Sequence, residues 1–358
     1  MAIHFHPLII KEIKKQTADC VSITFAIPAE LKEDFTFAQG QNITLKTSID
    51  GEEVRRSYSI CTAPFENELS VAIKRVDGGR FSTYANGQLQ KGDSIEVLPP
   101  TGKFNTTLDP ANKKAYVAFA AGSGITPVIS IIKTTLQTEP ESNFTLVFSN
   151  RNRASIIFFE ELEGLKNKYL QRFNFINLLT REKTDAPIFS GRIDAEKLSQ
   201  LSKLIDYKRQ DEFFICGPEE MIFCVKGFLE NEGIVKKKIH FELFTTPGIQ
   251  KEKSNSVKNE TAQNIKSMVL IKLDGRTVEF TMGFDSSSIL DEALKQGADL
   301  PFACKGGVCC TCKAKLIEGE VHMDVNWGLE QEEVARGFIL TCQSHPVTER
   351  VVIDFDAR

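Results

Sequence analysis

The sequence predicts a protein of three parts in series: a small antiparallel β-barrel, an α/β domain with a parallel sheet, and an acidic α+β domain. Three observations carry this. Over residues 1–103, short alternating runs follow one another between turn signals. From Ala115, apolar strands alternate with helical patterns. Five of the nine cysteines then fall in the last 55 residues, behind a polar run with almost no apolar side chains. A length of 358 residues allows two to three domains, taking roughly 150 residues for each.

The barrel is read from runs such as Val21-Ser22-Ile23-Thr24-Phe25 and Asn42-Ile43-Thr44-Leu45-Lys46, separated by Ile49-Asp50-Gly51-Glu52 and Lys91-Gly92-Asp93. About six such strands suit a small closed sheet. In the second domain, strands at Ala115–Ala120, Phe144–Phe148, Phe173–Leu179 and Glu212–Cys216 alternate with helices at Val128–Leu136, Ile157–Lys166 and Glu220–Glu230. That alternation means a parallel sheet. In the third, Ser267–Leu273 and Thr277–Thr281 flank Asp274-Gly275, a strong hairpin turn, and Ser288–Gln296 reads as a helix with Ser288 near its start.

Composition narrows the function classes. With 41% hydrophobic and 26% charged residues, the chain is neither disordered nor fibrous. An odd number of cysteines argues against a fully paired secreted framework. A net charge of −4 argues against binding a nucleic-acid backbone. The start, Met1-Ala2-Ile3-His4-Phe5-His6-Pro7, lacks the pattern of a secretory signal, so a cytoplasmic protein is expected. Ala115 to Ile132 is free of charge and near the length of a membrane span. Gly122-Ser123-Gly124 and Thr126-Pro127 interrupt it, so a strand, a glycine turn and a buried helix are expected instead.

Cys304, Cys309 and Cys312 are spaced C-x4-C-x2-C, with Cys342 far downstream. This is the ligand spacing of plant-type [2Fe–2S] clusters. Gly306 and Gly307 let the backbone wrap closely and point N–H groups at sulfur. Structural zinc is the alternative, but zinc usually takes two compact ligand pairs, whereas here three ligands share one loop. Cys310 is expected to point away as a thiol outside the set, with redox sensing as its other possible use. From Lys266 on, 10 basic and 15 acidic residues give this domain a net charge of −5.

Ala120-Ala121-Gly122-Ser123-Gly124-Ile125-Thr126-Pro127 follows a strand and opens a helix, where glycines admit close approach and a helix N-terminus offers N–H groups to phosphate. Cys216-Gly217-Pro218 ends another strand, and open α/β sheets bind ligands at such ends. Arg56-Ser57-Tyr58-Ser59 closes a β segment with a cation, a ring and two hydroxyls, suited to a pyrophosphate and a flat ring. Gly78-Gly79-Arg80-Phe81-Ser82-Thr83 supplies a second glycine and hydroxyl cluster. The five histidines are scattered, and each is expected to be structural.

Taken in order, these motifs resemble the ferredoxin–NADP reductase superfamily with a C-terminal plant-type ferredoxin domain, over essentially the whole chain. Asp50–Arg56, Gly191–Asp194 and Ala298–Cys309 add to the resemblance. It implies a flavin-binding β-barrel over residues 1–104, an NAD(P)-binding domain over 105–247, a linker over 248–265 and a β-grasp ferredoxin domain over 266–358. It implies that Arg56 contacts the flavin pyrophosphate, Ser57 lines the same site, Tyr58 stacks on the ring and Ser59 hydrogen-bonds near its N5. Gly79, Arg80, Phe81 and Ser82 would cradle phosphate. Gly122, Gly124 and Thr126 would hold the dinucleotide, and Cys216, Gly217 and Pro218 would place the nicotinamide over the flavin. Glu242 and Phe244, in His240-Phe241-Glu242-Leu243-Phe244, would lie near the flavin; where relatives commonly carry Arg, this chain has Leu243. Ser59, Cys216 and Glu242 are thus the expected catalytic group, and Cys304, Cys309, Cys312 and Cys342 the cluster ligands.

The implied activity is a relay. A nicotinamide delivers two electrons together, a cluster takes one at a time, and a flavin does both. FAD is favoured over FMN. NADPH is favoured over NADH, because Ser149, Arg151 and Arg153 at one strand end and Arg181 at the next offer a hydroxyl and cations to a 2′-phosphate. The implied acceptor is an oxygenase component, first the diiron epoxidase of phenylacetyl-CoA and otherwise another oxygenase, hydroxylase or desaturase. A sensor or carrier without turnover is the competing class. Neither nucleic acid nor membrane is an expected partner, and an acidic ferredoxin domain suits a basic acceptor surface.

Overall fold

The computed structural model describes residues 4–244, 266–284 and 286–357. The expected linker, 248–265, and positions 245–247 lie outside the described residues. The chain divides into two units, the larger built mainly from His6 to Phe244 and the smaller mainly from the chain beyond it.

The larger unit begins with an antiparallel sheet of β1 (His6–Thr17), β2 (Cys20–Ala26), β3 (Asn42–Ile49), β4 (Glu52–Ser59), β5 (Leu69–Lys74) and β6 (Ser94–Val97), with α1 (Arg80–Gly87) between the last two. Strand order is β4-β3-β6-β1-β2-β5. Ile60, just past β4, bridges Val71 of β5, and the Cys61 N–H donates to Ser70 O at 2.9 Å, so the two edges meet and the sheet closes. Every second residue points inward: Leu8 and Ile10, Ile23 and Phe25, Ile43 and Leu45, Val71 and Ile73 form the barrel core. Between β3 and β4, Asp50 and Gly51 both take positive φ (54° and 80°), as a two-residue type I′ hairpin turn requires.

A second sheet follows: β7 (Ala115–Ala121), α2 (Ile125–Thr138), β8 (Asn143–Asn150), α3 (Phe159–Lys168), β9 (Phe173–Leu179), α4 (Ala195–Leu201), β10 (Glu212–Gly217), α5 (Glu219–Asn231) and β11 (Ile239–Leu243). The strands run parallel in the order β11-β10-β7-β8-β9. The chain winds outward from β7 to β9, then returns to the other side of β7 for β10 and β11. The order therefore reverses between β7 and β10, and their carboxyl ends open a crevice there. The charge-free stretch resolves into β7, the glycine turn and the start of α2. No helix among the described residues is long and apolar enough to cross a membrane. Helices α1 and α4 and strand β11 were not marked out by periodicity: they are short, and α1 hides in a glycine-rich stretch.

The two sheets are tied together. Ser130 of α2 donates to Thr62 O at 2.7 Å, and Gln39 Nε2 donates to Thr106 O at 2.8 Å. Lys133, on the buried face of α2, pairs with Glu66 beyond β4 and with Glu161 of α3, each at 2.8 Å. Burial works against its charge, but the two carboxylates outweigh it and hold Lys133 above the ordinary lysine range.

The smaller unit contains β12 (Lys266–Leu273), β13 (Arg276–Gly283), α6 (Ile289–Lys295), β14 (Lys313–Glu318), β15 (Val321–Met323), α7 (Gln331–Ala335), β16 (Phe338–Leu340), β17 (Ser344–Pro346) and β18 (Arg350–Asp354). Its main sheet runs β13-β12-β18-β14-β16, with β12 and β18 parallel and the other neighbours antiparallel. Ile289, Leu290 and Ala293 of α6 pack on Val269, Ile271, Val351 and Ile353 of the sheet. This is the expected α+β arrangement of a β-grasp domain. The β12–β13 hairpin turns at Asp274 and Gly275 (φ 52° and 68°), and the Ser288 hydroxyl caps α6 by accepting the Asp291 N–H at 3.2 Å.

Candidate electron-transfer sites

The last four residues of β4 are Arg56, Ser57, Tyr58 and Ser59. Side chains alternate across a strand, so Arg56 and Tyr58 share one face. Arg56 is half-buried and donates through Nη1 to Arg55 O at 2.7 Å. The Tyr58 ring lies 5.6 Å from that of Phe81, tilted by 42°.

Gly79 is the N-cap of α1, so the amides of Arg80, Phe81 and Ser82 form a first helical turn without carbonyl partners inside the helix. The side chains of that turn are already engaged. Arg80 pairs with Glu52 and donates to Ile49 O, Phe81 is buried in the barrel core, and the Ser82 hydroxyl accepts the Val76 N–H at 3.1 Å. Phosphate can therefore be cradled here by backbone N–H groups, a fit that suits an anion.

At the crevice, Gly122 has φ 54°, which favours glycine. A Cβ built on Gly124 would fall on the carbonyl oxygen of Cys216, so β7's turn and the end of β10 touch through backbone alone. Thr126 is buried and its Oγ1 donates to Ser123 O at 3.0 Å; its hydroxyl holds the turn. Gly217 packs against Ala121, and Pro218 is the N-cap of α5. Cys216 is fully buried, with its thiol pushed well above the usual range by burial and by Glu242. Ala120, Cys216 and Glu242 stand in register across β7, β10 and β11.

Ser59 and Glu242 meet. The Ser59 hydroxyl donates to Glu242 Oε2 at 2.9 Å. Burial pushes the Glu242 carboxyl up to about 7, against the Ser59 hydrogen bond that pulls it down. The end of the barrel strand and the edge of the crevice therefore share one protonatable pair. Phe244, the next aromatic, is 42% exposed. His240 stacks on Phe214 at 4.9 Å and meets Glu212 at 2.9 Å, a structural arrangement.

Farther along the carboxyl edge, Ser149 is buried at the end of β8, and Arg151 and Arg181 are exposed. The Arg181 N–H donates to Arg151 O at 2.8 Å, so the two arginines stand side by side at neighbouring strand ends. Neither is in an ion pair among the described residues. Arg153 differs: its guanidinium lies over the Phe159 ring at 4.6 Å.

In the smaller unit, the loop from Cys304 to Cys312 turns through positive φ at Lys305, Gly307 and Cys310 (51°, 74° and 56°). The Gly306 N–H donates to Cys304 Sγ at 3.2 Å. The four thiols gather as two interacting pairs, Cys304 with Cys309 and Cys312 with Cys342. Among the described residues no three His, Cys, Asp or Glu side chains close on one point, as a single ion needs. Two thiol pairs suit two irons, each taking two thiolates, better than one tetrahedral zinc. The Cys310 Sγ meets Gly328 O.

Sequence reasoning missed Lys133, although a single charge inside the apolar α2 was a usable signal. It also missed Val325–Gly328, which packs on the cysteine loop: the Gly328 N–H donates to Gly307 O at 2.9 Å. No local motif marks that segment.

Comparison with known proteins follows the same division. Family models match for an oxidoreductase FAD-binding domain at residues 7–106, an oxidoreductase NAD-binding domain at 119–227 and a 2Fe-2S iron-sulfur cluster binding domain at 271–347. The chain is 46% identical to a subunit of the 1,2-phenylacetyl-CoA epoxidase of Escherichia coli K12, over 99% of this chain and 98% of that one. It is 32% identical to the ferredoxin reductase component of 3-ketosteroid-9-alpha-monooxygenase from Rhodococcus rhodochrous, over 97% and 96% of the two chains. Phthalate dioxygenase reductase has the same fold, with a TM-score of 0.58 at 22% identity, covering 98% of each chain.

Proposed function

The chain belongs to the ferredoxin reductase-type oxidoreductases that join FAD-binding, NAD-binding and [2Fe–2S] domains, and from that premise we propose that it carries electrons from NADPH to the oxygenase component of a phenylacetyl-CoA epoxidase. FAD and a [2Fe–2S] cluster are its cofactors and a nicotinamide nucleotide is its substrate; when bound, they supply hydride acceptance and one-electron transfer. The finer assignments are ours. The flavin barrel spans 1–104, the dinucleotide domain 105–247 and the ferredoxin domain 266–358, and the chain works in the cytoplasm.

Arg56, Ser57 and Tyr58 hold the flavin, and the first-turn amides of α1 hold its phosphate. The turn at Gly122–Thr126 and the Cys216-Gly217-Pro218 strand end hold the nicotinamide half. Ser59 and Glu242 sit where the two rings meet, and Phe244 covers the site. Ser149, Arg151 and Arg181 receive the 2′-phosphate, with Arg153 contributing less because it is stacked. Cys304, Cys309, Cys312 and Cys342 ligate the cluster. The observation that supports the ring-to-ring arrangement is the Ser59–Glu242 hydrogen bond at 2.9 Å. The epoxidase partner rests on the full-length similarity to the Escherichia coli epoxidase chain.

Two measurements test this reading. NADPH should drive flavin reduction at a lower half-saturating concentration than NADH, and R181A should remove about tenfold of that preference, the worth of one charge-assisted contact. Reconstitution should give stronger turnover with the epoxidase's oxygenase component than with that of a steroid or betaine monooxygenase. Epoxidation that runs equally well without this protein overturns the partnership.

A further inference from the structure

Cys342 comes to the cysteine loop from outside it, on the turn Thr341–Gln343 between β16 and β17. Each of its neighbours grips the loop. Before it, Thr341 donates twice to Cys312 O, through its N–H at 3.2 Å and its Oγ1 at 3.1 Å. After it, Gln343 donates through Nε2 to Lys305 O at 2.8 Å, next in the chain to Cys304, and to Cys342 O at 3.0 Å. Cys342 is therefore bracketed, with one clip at the Cys312 end of the loop and one at the Cys304 end.

The Gln343 clip is specific in its chemistry. Both partners are carbonyl oxygens, so both amide hydrogens are used, and a carboxylate in that place would be repelled. The Gln343 stem passes close to the loop: a Cβ built on Gly307, whose φ is 74°, would stand 3.1 Å from Gln343 Cγ. The Gln343 carbonyl accepts the Asp324 N–H at 2.9 Å, which anchors the turn.

The carbonyl that Gln343 holds shares one peptide unit with the Gly306 N–H. That unit is planar and trans, so fixing the C=O on one side fixes the direction of the N–H on the other. The Gly306 N–H donates to Cys304 Sγ at 3.2 Å. A hydrogen bond at one end of an amide also polarises the other end.

We infer that Gln343 is a positioning residue for the iron–sulfur cluster: by gripping Lys305 O it aims the Gly306 N–H at Cys304 Sγ, and it keeps Cys342 against the loop. N–H bonds to a ligand sulfur stabilise the added negative charge of a reduced cluster and so raise its potential. Gln343 thus favours electron acceptance through a peptide bond. This inference rests on the four-cysteine ligand set proposed above and adds a residue that tunes it.

The test compares wild type with Q343N, Q343M and Q343E, all as the holoprotein. Q343N keeps the amide on a shorter stem, Q343M keeps an unbranched stem without a donor, and Q343E keeps the shape and brings a negative charge. Cluster and flavin potentials are measured by anaerobic titration with redox dyes, and the half-life of the cluster band in excess chelator is followed separately. In Q343M the ratio of reduced to oxidised cluster at a fixed solution potential should fall about three- to tenfold, the worth of one hydrogen bond. Q343E should lower it further and Q343N less. The half-life in chelator should fall in the same order, while the flavin potential stays at its wild-type value throughout. If Q343M and Q343E emerge without a cluster, Q343N against wild type decides. A wild type that holds no [2Fe–2S] cluster refutes the ligand set itself. A wild type that holds one, with the same cluster potential in every variant that retains it, overturns the inference. A shorter half-life without a change in potential overturns it too, since loss of stability alone would give that result.

Discussion

Ser59, the last residue of β4, donates its hydroxyl to Glu242 of β11 at 2.9 Å, joining the end of a barrel strand to the strand beside the dinucleotide crevice. Glu242 titrates near 7 because burial outweighs that hydrogen bond. The rate of NADPH-driven flavin reduction should inflect near that pH. E242Q should lose the inflection, and S59A should move it upward, since it removes what holds the value down. An inflection kept in E242Q assigns it to another group and contradicts the site. Stability follows the same sign. The folded value lies above the ordinary 4.5, so the contribution is full below 4.5 and is lost as pH rises through about 7. Thermal midpoints of E242Q should fall less than those of wild type over that window.

Gly124 and Gly122 should respond differently to alanine. At Gly124 the new Cβ meets the Cys216 carbonyl, so strands β7 and β10 must part. At Gly122 there is open space, and only the positive φ resists. G122A should cost about 1–2 kcal/mol. G124A should cost more and raise the half-saturating nucleotide concentration. Equal thermal midpoints for the two variants would falsify the close approach.

The proposed cluster site divides its cysteines into four ligands and a bystander. C342S should abolish the visible spectrum of the cluster while leaving flavin absorbance intact. C310A should keep both, because its thiol meets Gly328 O. A C310A protein without a cluster contradicts the assignment, as does a preparation whose four cysteines hold zinc after anaerobic isolation.

Lys133 ties the barrel to the dinucleotide domain. K133M removes a buried cation and leaves Glu66 and Glu161 facing the gap. The expected loss is about 2–3 kcal/mol, below the full value for a broken buried pair because both carboxylates are partly exposed. Adding E66Q and E161Q should recover much of it. No recovery in the triple variant means that packing, and not charge, holds the joint.

Much of this was legible in the sequence. Four of the five strands of the parallel sheet and both Asp-Gly turns follow from periodicity and turn chemistry alone. The cysteine spacing marks the proposed ligands, since three of them share one short loop. What stayed hidden depends on contacts across the fold. The roles of Arg80, Phe81 and Ser82 look like side-chain roles in sequence, yet the helix start they form directs those side chains elsewhere and leaves only the amides. The meeting of Ser59 with Glu242, 183 positions apart, has no local signature. The short helices α1 and α4 fall below the length at which periodicity speaks.

The most direct test of the relay is an anaerobic NADPH titration followed in the visible spectrum, on wild type and C342S. In wild type the flavin and cluster bands should both bleach, and in C342S the flavin band alone. A wild type whose flavin is reduced while its cluster stays oxidised, or in which neither band responds, contradicts electron transfer from nicotinamide through flavin to the cluster.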